Sequence, residues 1–174
     1  LAPLAARAGL LRVVAVAFEA ASRGGRQGID SLYQESIALF NQGETPEPEV
    51  FGRPVAFDCI PALGEPLASG ATEPEELFAR SLARLLGGAP RIAASIVQVP
   101  AFVGYGASLA VETGRVLDPK EAVEALEGAP GVEVWRGEPS GQTLRAAAGR
   151  DVVLVGRVRR DPSCETGLLL WLAS

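Results

Sequence analysis

"DVVLVGRV" (Asp151–Val158) and "GLLLWLA" (Gly167–Ala173) close the chain, separated by the Pro-containing segment "RRDPSCET". Both runs have strand length and strand composition, and the segment between them has turn composition. An antiparallel strand with one face in water alternates apolar and polar residues. "VVLV" and "LLLWLA" do not alternate, so both faces of these strands are expected to be covered. Helices are expected to cover one face. Nothing else in the sequence reads as a second layer, which leaves another subunit or a separate domain for the opposite face. A self-complementary dimer is the commonest such arrangement. The expected fold class is therefore α+β: a largely antiparallel mixed sheet with helices on one face and its other face packed in a dimer.

The rest of the chain fits this class. "LRVVAVAFEA" (Leu11–Ala20) reads as a buried strand bounded by the turn-prone "SRGG". "GIDSLYQESIALFNQG" reads as a helix that buries Ile29, Leu32, Tyr33, Ile37 and Phe40 and stops at Gly43. "VAFDCIPAL" is expected to be a short strand ended by Pro61. A second helix starts after Thr72 as cap, with Pro74 and three Glu in its first turn, and runs through Leu77, Phe78, Leu82 and Leu85 to Gly87. Strands are expected at Ile92–Val99 and Ser108–Thr113. A third helix is capped by Asp118, has Pro119 at its first position and stops at Gly128. "VEVW" is a further short strand.

Composition narrows the function classes. The chain has 174 residues, 48% hydrophobic and 21% charged, with a net charge of −5. No cluster of Lys and Arg reads as a phosphate-tracking face, since "GRVRRD" is short and adjoins Asp161; a nucleic-acid partner is not expected. The longest apolar run, "VVAVAF", is far too short to span a membrane. There is no His, which removes the commonest general base and the commonest metal ligand. Lys120 is the single lysine. Cys59 reads as a buried structural thiol and Cys164 as an exposed loop residue, and neither implies a disulfide framework; a reducing, cytoplasmic compartment is the default. The chain begins with Leu1 and contains no Met, and is read as a fragment of a longer or processed protein.

Between Ser95 and Thr113 lies "SIVQVPAFVGYGASLAVET", two apolar runs joined by a Pro and a Gly-Tyr-Gly turn. It has the layout of an active-site strand without His, Cys, Lys or Arg. Together with "EAASRGGRQGIDSLYQESIALFN", "VFGRPVAFDCIP", "DPKEAVEALEGAPGVEV" and "DVVLVGRVRRDPSCETGLLLWLAS", in that order and spacing, it resembles the C-terminal domain of aspartate-semialdehyde dehydrogenases, and more closely their Usg-type paralogues. The resemblance runs from about Val13 to Ser174. It implies a domain like the C-terminal domains of semialdehyde and glyceraldehyde-phosphate dehydrogenases, which dimerises and carries part of a substrate site. In the family an N-terminal Rossmann domain binds NADP and supplies the nucleophilic cysteine, and aspartyl phosphate is reduced to the semialdehyde. On this reading residues 1–174 are a single dimerisation domain from which the N-terminal half is absent, and no cofactor is held by this chain. "SRGGRQG" follows the family's turn into a helix and is not expected to cradle phosphate.

Carried over residue by residue, the resemblance finds the family's site altered at four positions. The Arg that holds the substrate carboxylate is matched by Gln98, whose neutral amide cannot form the charged bidentate pair. Such a loss costs roughly 2–5 kcal/mol of affinity. The general acid/base His is matched by Tyr105, whose phenol, with an ordinary pKa near ~10, is a poor base at neutral pH. Tyr105 reads as a core or interface aromatic, with proton donation as the functional alternative. Glu19 stands where the family has a Gln and would repel an anionic substrate. Leu77 stands in place of a substrate-contacting Lys. No catalytic residue is therefore expected to be intact. The function expected is that of a dimerisation and vestigial substrate domain, pairing with itself or with an intact paralogue; the alternative is part of an active NADP-dependent dehydrogenase with an altered substrate. Arg157 and Arg159 are expected to alternate on one strand and to pair with acids such as Glu112.

Overall fold

β1 (Leu10–Glu19) buries Val13, Ala15 and Ala17 and leaves Val14, Val16 and Phe18 half-exposed, so burial alternates where polarity does not. The computed structural model describes residues 1–88 and 90–174. β1 is joined in a sheet by β2 (Arg91–Gln98), β3 (Tyr105–Thr113), β4 (Val132–Val134), β5 (Val153–Arg160) and β6 (Gly167–Ala173), in the order β2-β1-β3-β6-β5-β4. The two outer pairs, β1–β2 and β4–β5, are parallel; β1–β3, β3–β6 and β5–β6 are antiparallel. The sheet is mixed and mainly antiparallel, as the run of strands implied.

Register sorts the side chains into two faces. On one, Val13 stands beside Ile92 and Val111, and Val111 beside Leu168; Ala15 stands beside Ala94 and Leu109, and Leu109 beside Leu170. Against these residues pack α1 (Ala2–Ala8) through Leu4, α4 (Pro119–Glu127) through Ala122 and Leu126, and α3 (Glu73–Leu85) through Phe78 and Leu82, forming the main core. Asp118 caps α4 by accepting the Lys120 N–H at 2.9 Å. At α3 the Glu75 carboxylate accepts the Thr72 N–H at 2.8 Å, half of a capping box. Leu77 and Leu85 are 55% and 81% exposed, so the core face of α3 is Phe78 and Leu82 rather than the wider stripe expected.

The opposite face carries Val14, Val16, Phe18, Val97, Ala110, Leu169 and Trp171, half-exposed, beside exposed Ala93, Ser95 and Ser108. The expectation that nothing in the chain covers this face needs correcting at one end. The segment after β4, with a 3-10 turn at Pro139–Gly141 and the short α5 (Leu144–Ala147), folds back onto it. Ala147 packs with Leu154 and Ala173, and Trp135 joins them. Gly156 has no room for a side chain because Gln142 and Trp135 lie over it. Among the described residues, no helix covers the rest of this face.

Beyond the end of β1, a 3-10 turn (Ala21–Gly24) leads into α2 (Gly25–Phe40), which lies off the sheet. Its buried face is Gly28, Leu32 and Glu35; of the expected apolar set Leu32 is buried and Ile29 half-buried, while Tyr33, Ile37 and Phe40 are exposed. Glu35, fully buried, accepts the N–H groups of Val55 at 2.7 Å and Ala56 at 2.9 Å and the Ser31 hydroxyl at 2.9 Å. Those N–H bonds also explain why "VAFDCIPAL" is not a strand. Its first donors are turned toward a carboxylate, Phe57 adopts φ 62°, and pairing is limited to a single bridge between Ile60 and Gln98. Cys59, expected to be buried, is exposed as a result, and Cys164 is half-buried. A register shift between Gly156 and Arg159, with Arg157 at φ 53°, breaks the expected alternation of the two arginines. The cross-strand neighbour of Glu112 is Arg12 instead.

Candidate functional site

At one end of the sheet, Gln98, Glu19 and Tyr105 are adjacent across β2, β1 and β3. Ser174 extends the row, exchanging backbone hydrogen bonds with Tyr105 at 2.7 and 2.8 Å. The chain leaving β1 is tied to the loop before β3: Ala21 N–H donates to Ala101 O at 2.8 Å and Ser22 N–H to Phe102 O at 2.9 Å. The turn after β1 and the Gly-Tyr-Gly turn are thereby held together. Between them lies a cavity of about 300 Å³ lined by Glu19, Ser22, Arg23, Gly104, Tyr105 and Ser174.

Two of the four sequence-predicted positions, Glu19 and Tyr105, share this wall; the others do not. Gln98 is fully buried, and its Nε2 donates to the Glu19 carbonyl at 2.9 Å and to the Val99 carbonyl at 3.4 Å. Its amide N–H closes the join between β1 and β2, while Oε1 has no partner among the described residues. Leu77 lies on α3, outside the lining of the cavity. The position that sequence reasoning missed is Arg23, whose guanidinium pairs with the Glu19 carboxylate. An opposite charge four residues after Glu19 was the available signal, although it falls across a turn where helical spacing was not expected.

The electrostatics restrict the chemistry. Burial raises the Glu19 carboxyl above the usual carboxylate range, opposed by Arg23. Burial, and then the charge of Glu19, push the Tyr105 phenol up to about 12. At neutral pH Tyr105 is therefore a hydrogen-bond donor and no base. Glu19 and Arg23 form an ion pair, and among the described residues lining the cavity Arg23 is the one arginine.

The glycine-rich turn beside this cavity is closely packed at two of its glycines. A methyl group at Gly24 would lie 2.6 Å from Val50 Cγ1, and at Gly28 it would meet Ala21 O and, at 2.9 Å, the Phe51 ring. These two glycines allow the chain to pack on itself, whereas a methyl group at Gly25 would meet nothing within 4 Å. A larger cavity, about 590 Å³, lies between Leu39, Arg53, Cys59 and Ile60. Neither Glu19 nor Tyr105 lines it.

The whole chain, residues 1–174, matches the family model described as semialdehyde dehydrogenase, dimerisation domain. It is 32% identical, over 100% of its length and 52% of the relative's, to aspartate-semialdehyde dehydrogenase 2 of Vibrio cholerae. It is 35% identical over 86% of its length to a USG-1 protein homolog of Azotobacter vinelandii, covering 45% of that protein. The crystal structure of aspartate semialdehyde dehydrogenase II from Vibrio cholerae superposes with a TM-score of 0.93 at 29% identity, over 99% of this chain and 51% of that one. The chain thus spans about half the length of the curated relatives it matches. With its mixed sheet, three packing helices and one face largely without cover, the chain belongs to the semialdehyde dehydrogenase dimerisation-domain family.

Proposed function

We propose that this domain works by association, pairing with a second copy of itself through the open face of the sheet, and that its substrate pocket is vestigial. The observation that carries this reading is the set of half-exposed apolar side chains Val97, Phe18, Val16, Val14, Ala110 and Leu169 across β2, β1, β3 and β6, which the segment after β4 covers at one end only and no other layer of the described residues covers. Apolar burial drives association, and a self-complementary patch closes as a two-fold dimer. An intact paralogue sharing the face would be the other partner of the same geometry. The pocket supports the vestigial reading: Gln98 serves the sheet, Arg23 is engaged with Glu19, and Tyr105 holds its proton. NADP belongs, on this reading, to the half of the relatives that this chain does not span, and the domain acts in the cytoplasm. No helix among the described residues is long and apolar enough to cross a membrane. Light scattering over a range of concentrations tests the association. A dimer that dissociates only at high dilution is expected; a monomer at every concentration overturns the reading.

One observation favours a second reading, in which the domain completes an active dehydrogenase with an altered substrate: Glu19 and Tyr105 still face one cavity. In the full-length parent, Tyr105→Phe removes only the donor oxygen. A large loss of turnover would establish this reading, and unchanged turnover would eliminate Tyr105 as its acid.

A further inference from the structure

The segment that folds onto the open face also presses on the turn that carries Tyr105. Trp171 lies on the open face, in the row of Val16 and Ser108, with its ring 5.6 Å from that of Phe18. Its indole N–H donates to the Gln142 carbonyl at 2.8 Å, and the Gln142 amide donates back to the Trp171 carbonyl at 3.3 Å. Gln142 is only 4% exposed, so this exchange pins the segment to the sheet. Two residues later, Leu144 meets both glycines of the Gly-Tyr-Gly turn. A methyl group at Gly104 would lie 2.9 Å from Leu144 Cβ, and one at Gly106 would lie 2.9 Å from Leu144 Cδ1 and 3.1 Å from the Trp171 ring. Gly104 has φ +104°, a conformation strained for other residues, so the turn depends on this shape.

We propose that Leu144 is a positioning residue for Tyr105, through which occupancy of the open face by a second copy sets the geometry of the Glu19–Tyr105 cavity. This rests on the association reading above. A partner seated on Phe18 and Trp171 bears on Leu144 because Trp171 and Leu144 crowd the same point above Gly106, and close-packed groups transmit a displacement rather than absorb it. Tyr105, held between the two glycines, responds on the opposite face of the same strand. The Phe18 ring supplies a second link, since Glu19 follows it in β1. Both walls of the cavity are thus backed directly by residues of the association face.

The chain has two tyrosines, so Tyr33→Phe leaves Tyr105 as the single site for fluorotyrosine and a single 19F resonance. That resonance is followed alongside the solution mass, on dilution and in Val14→Arg, which charges the open face away from Leu144. The expected result is a resonance that moves as the dimer dissociates, by either route. Leu144→Ala should displace it already and abolish its response to dissociation, and Leu144→Ile should restore both. A resonance that stays fixed while the mass halves overturns the coupling and leaves the association reading intact. A mass that is monomeric throughout overturns both. Dilution of the otherwise unsubstituted chain decides between these outcomes even if a Leu144 variant fails to fold.

Discussion

The two faces of the sheet are built from nearly the same residue types and have different fates. Val13 and Val14 are consecutive on β1, yet Val13 is fully buried under the helices and Val14 is half-exposed on the open side. Under the helices, leucines from α1 and α4 fill the space above Val13, Leu109 and Leu170. On the open side, small residues at Ala93, Ser95, Ser108 and Ala110 leave a shallow surface bordered by Trp171 and Phe18. On the association reading proposed above, a face kept apolar and largely uncovered by the described residues serves a partner outside the chain. Apolarity alone therefore does not define the core of this domain; the depth of the cover does.

The comparison is broken most directly by placing one charge on each side. Val13→Arg buries an unpaired guanidinium and is expected to cost more than about 4 kcal/mol, enough to unfold the domain. Val14→Arg should leave the thermal transition of the isolated fold in place and remove only the dimer. Circular dichroism melts and light scattering on the two variants check this, and equal destabilisation would mean that the two faces are not different in kind. A smaller effect is expected where the face does have a cover. Gly106→Ala forces a methyl group against Leu144 and Trp171 and should cost about 1–3 kcal/mol in denaturant titrations. At Gly128, where an added Cβ meets nothing within 4 Å, Gly128→Ala should change stability by less than about 0.5 kcal/mol. Equal costs at the two positions would show that Leu144 yields freely.

The smallest effect lies at the margin of the sheet. Burial acts to raise the Glu75 pKa, but the N–H bonds from Thr72 and Ile96 outweigh it, and the carboxyl titrates below the ordinary glutamate value. A group whose folded pKa is depressed contributes stability above its unfolded pKa, and that contribution is lost as pH falls through the folded value. Solvent screens this partly exposed carboxylate and keeps the effect small. The acid limb of the stability curve below the ordinary glutamate pKa should therefore flatten in Glu75→Gln, as measured by urea midpoints across that range.

Local signals were legible where a single residue decides an element. Asp118, Pro119 and Gly128 delimit α4 within the chain itself, and Thr72 with Glu75 marks the start of α3. Signals failed where a distant partner decides. "VAFDCIP" has strand composition, but Glu35, twenty residues upstream of Val55, claims its N–H groups. The stretch from Trp135 to Arg150 has neither periodicity nor length, and only its fit over Gly156 and Gly106 makes it a layer. The seven-residue α1, Ala-rich and without a polar cap, carries no boundary signal. The parallel pairing of β1 with β2 depends on the path of the intervening chain, which composition does not record. At the candidate site, two of the positions singled out by the resemblance, Glu19 and Tyr105, line one cavity. Gln98, matched to a substrate-holding Arg, is buried with its Nε2 on the Glu19 carbonyl, which matched positions alone do not record. Arg23 was missed because its role depends on the turn that brings it back to Glu19.

Glu75 has one more consequence, for polymerisation. β2 is an edge strand, and an edge with unpaired backbone groups recruits further strands without limit of number or identity. Here the Ile96 N–H is taken by the Glu75 carboxylate at 3.0 Å, and Ile60 exchanges both backbone bonds with Gln98 at 2.9 Å. The opposite edge, β4, is three residues long. A chain that presents a broad apolar face must avoid offering a second, open-ended mode of self-contact, because two such modes together generate fibres instead of pairs. With much of β2's outer edge occupied and the other edge cut short, growth by strand addition is checked, and assembly that begins on the face ends at a finite number of copies.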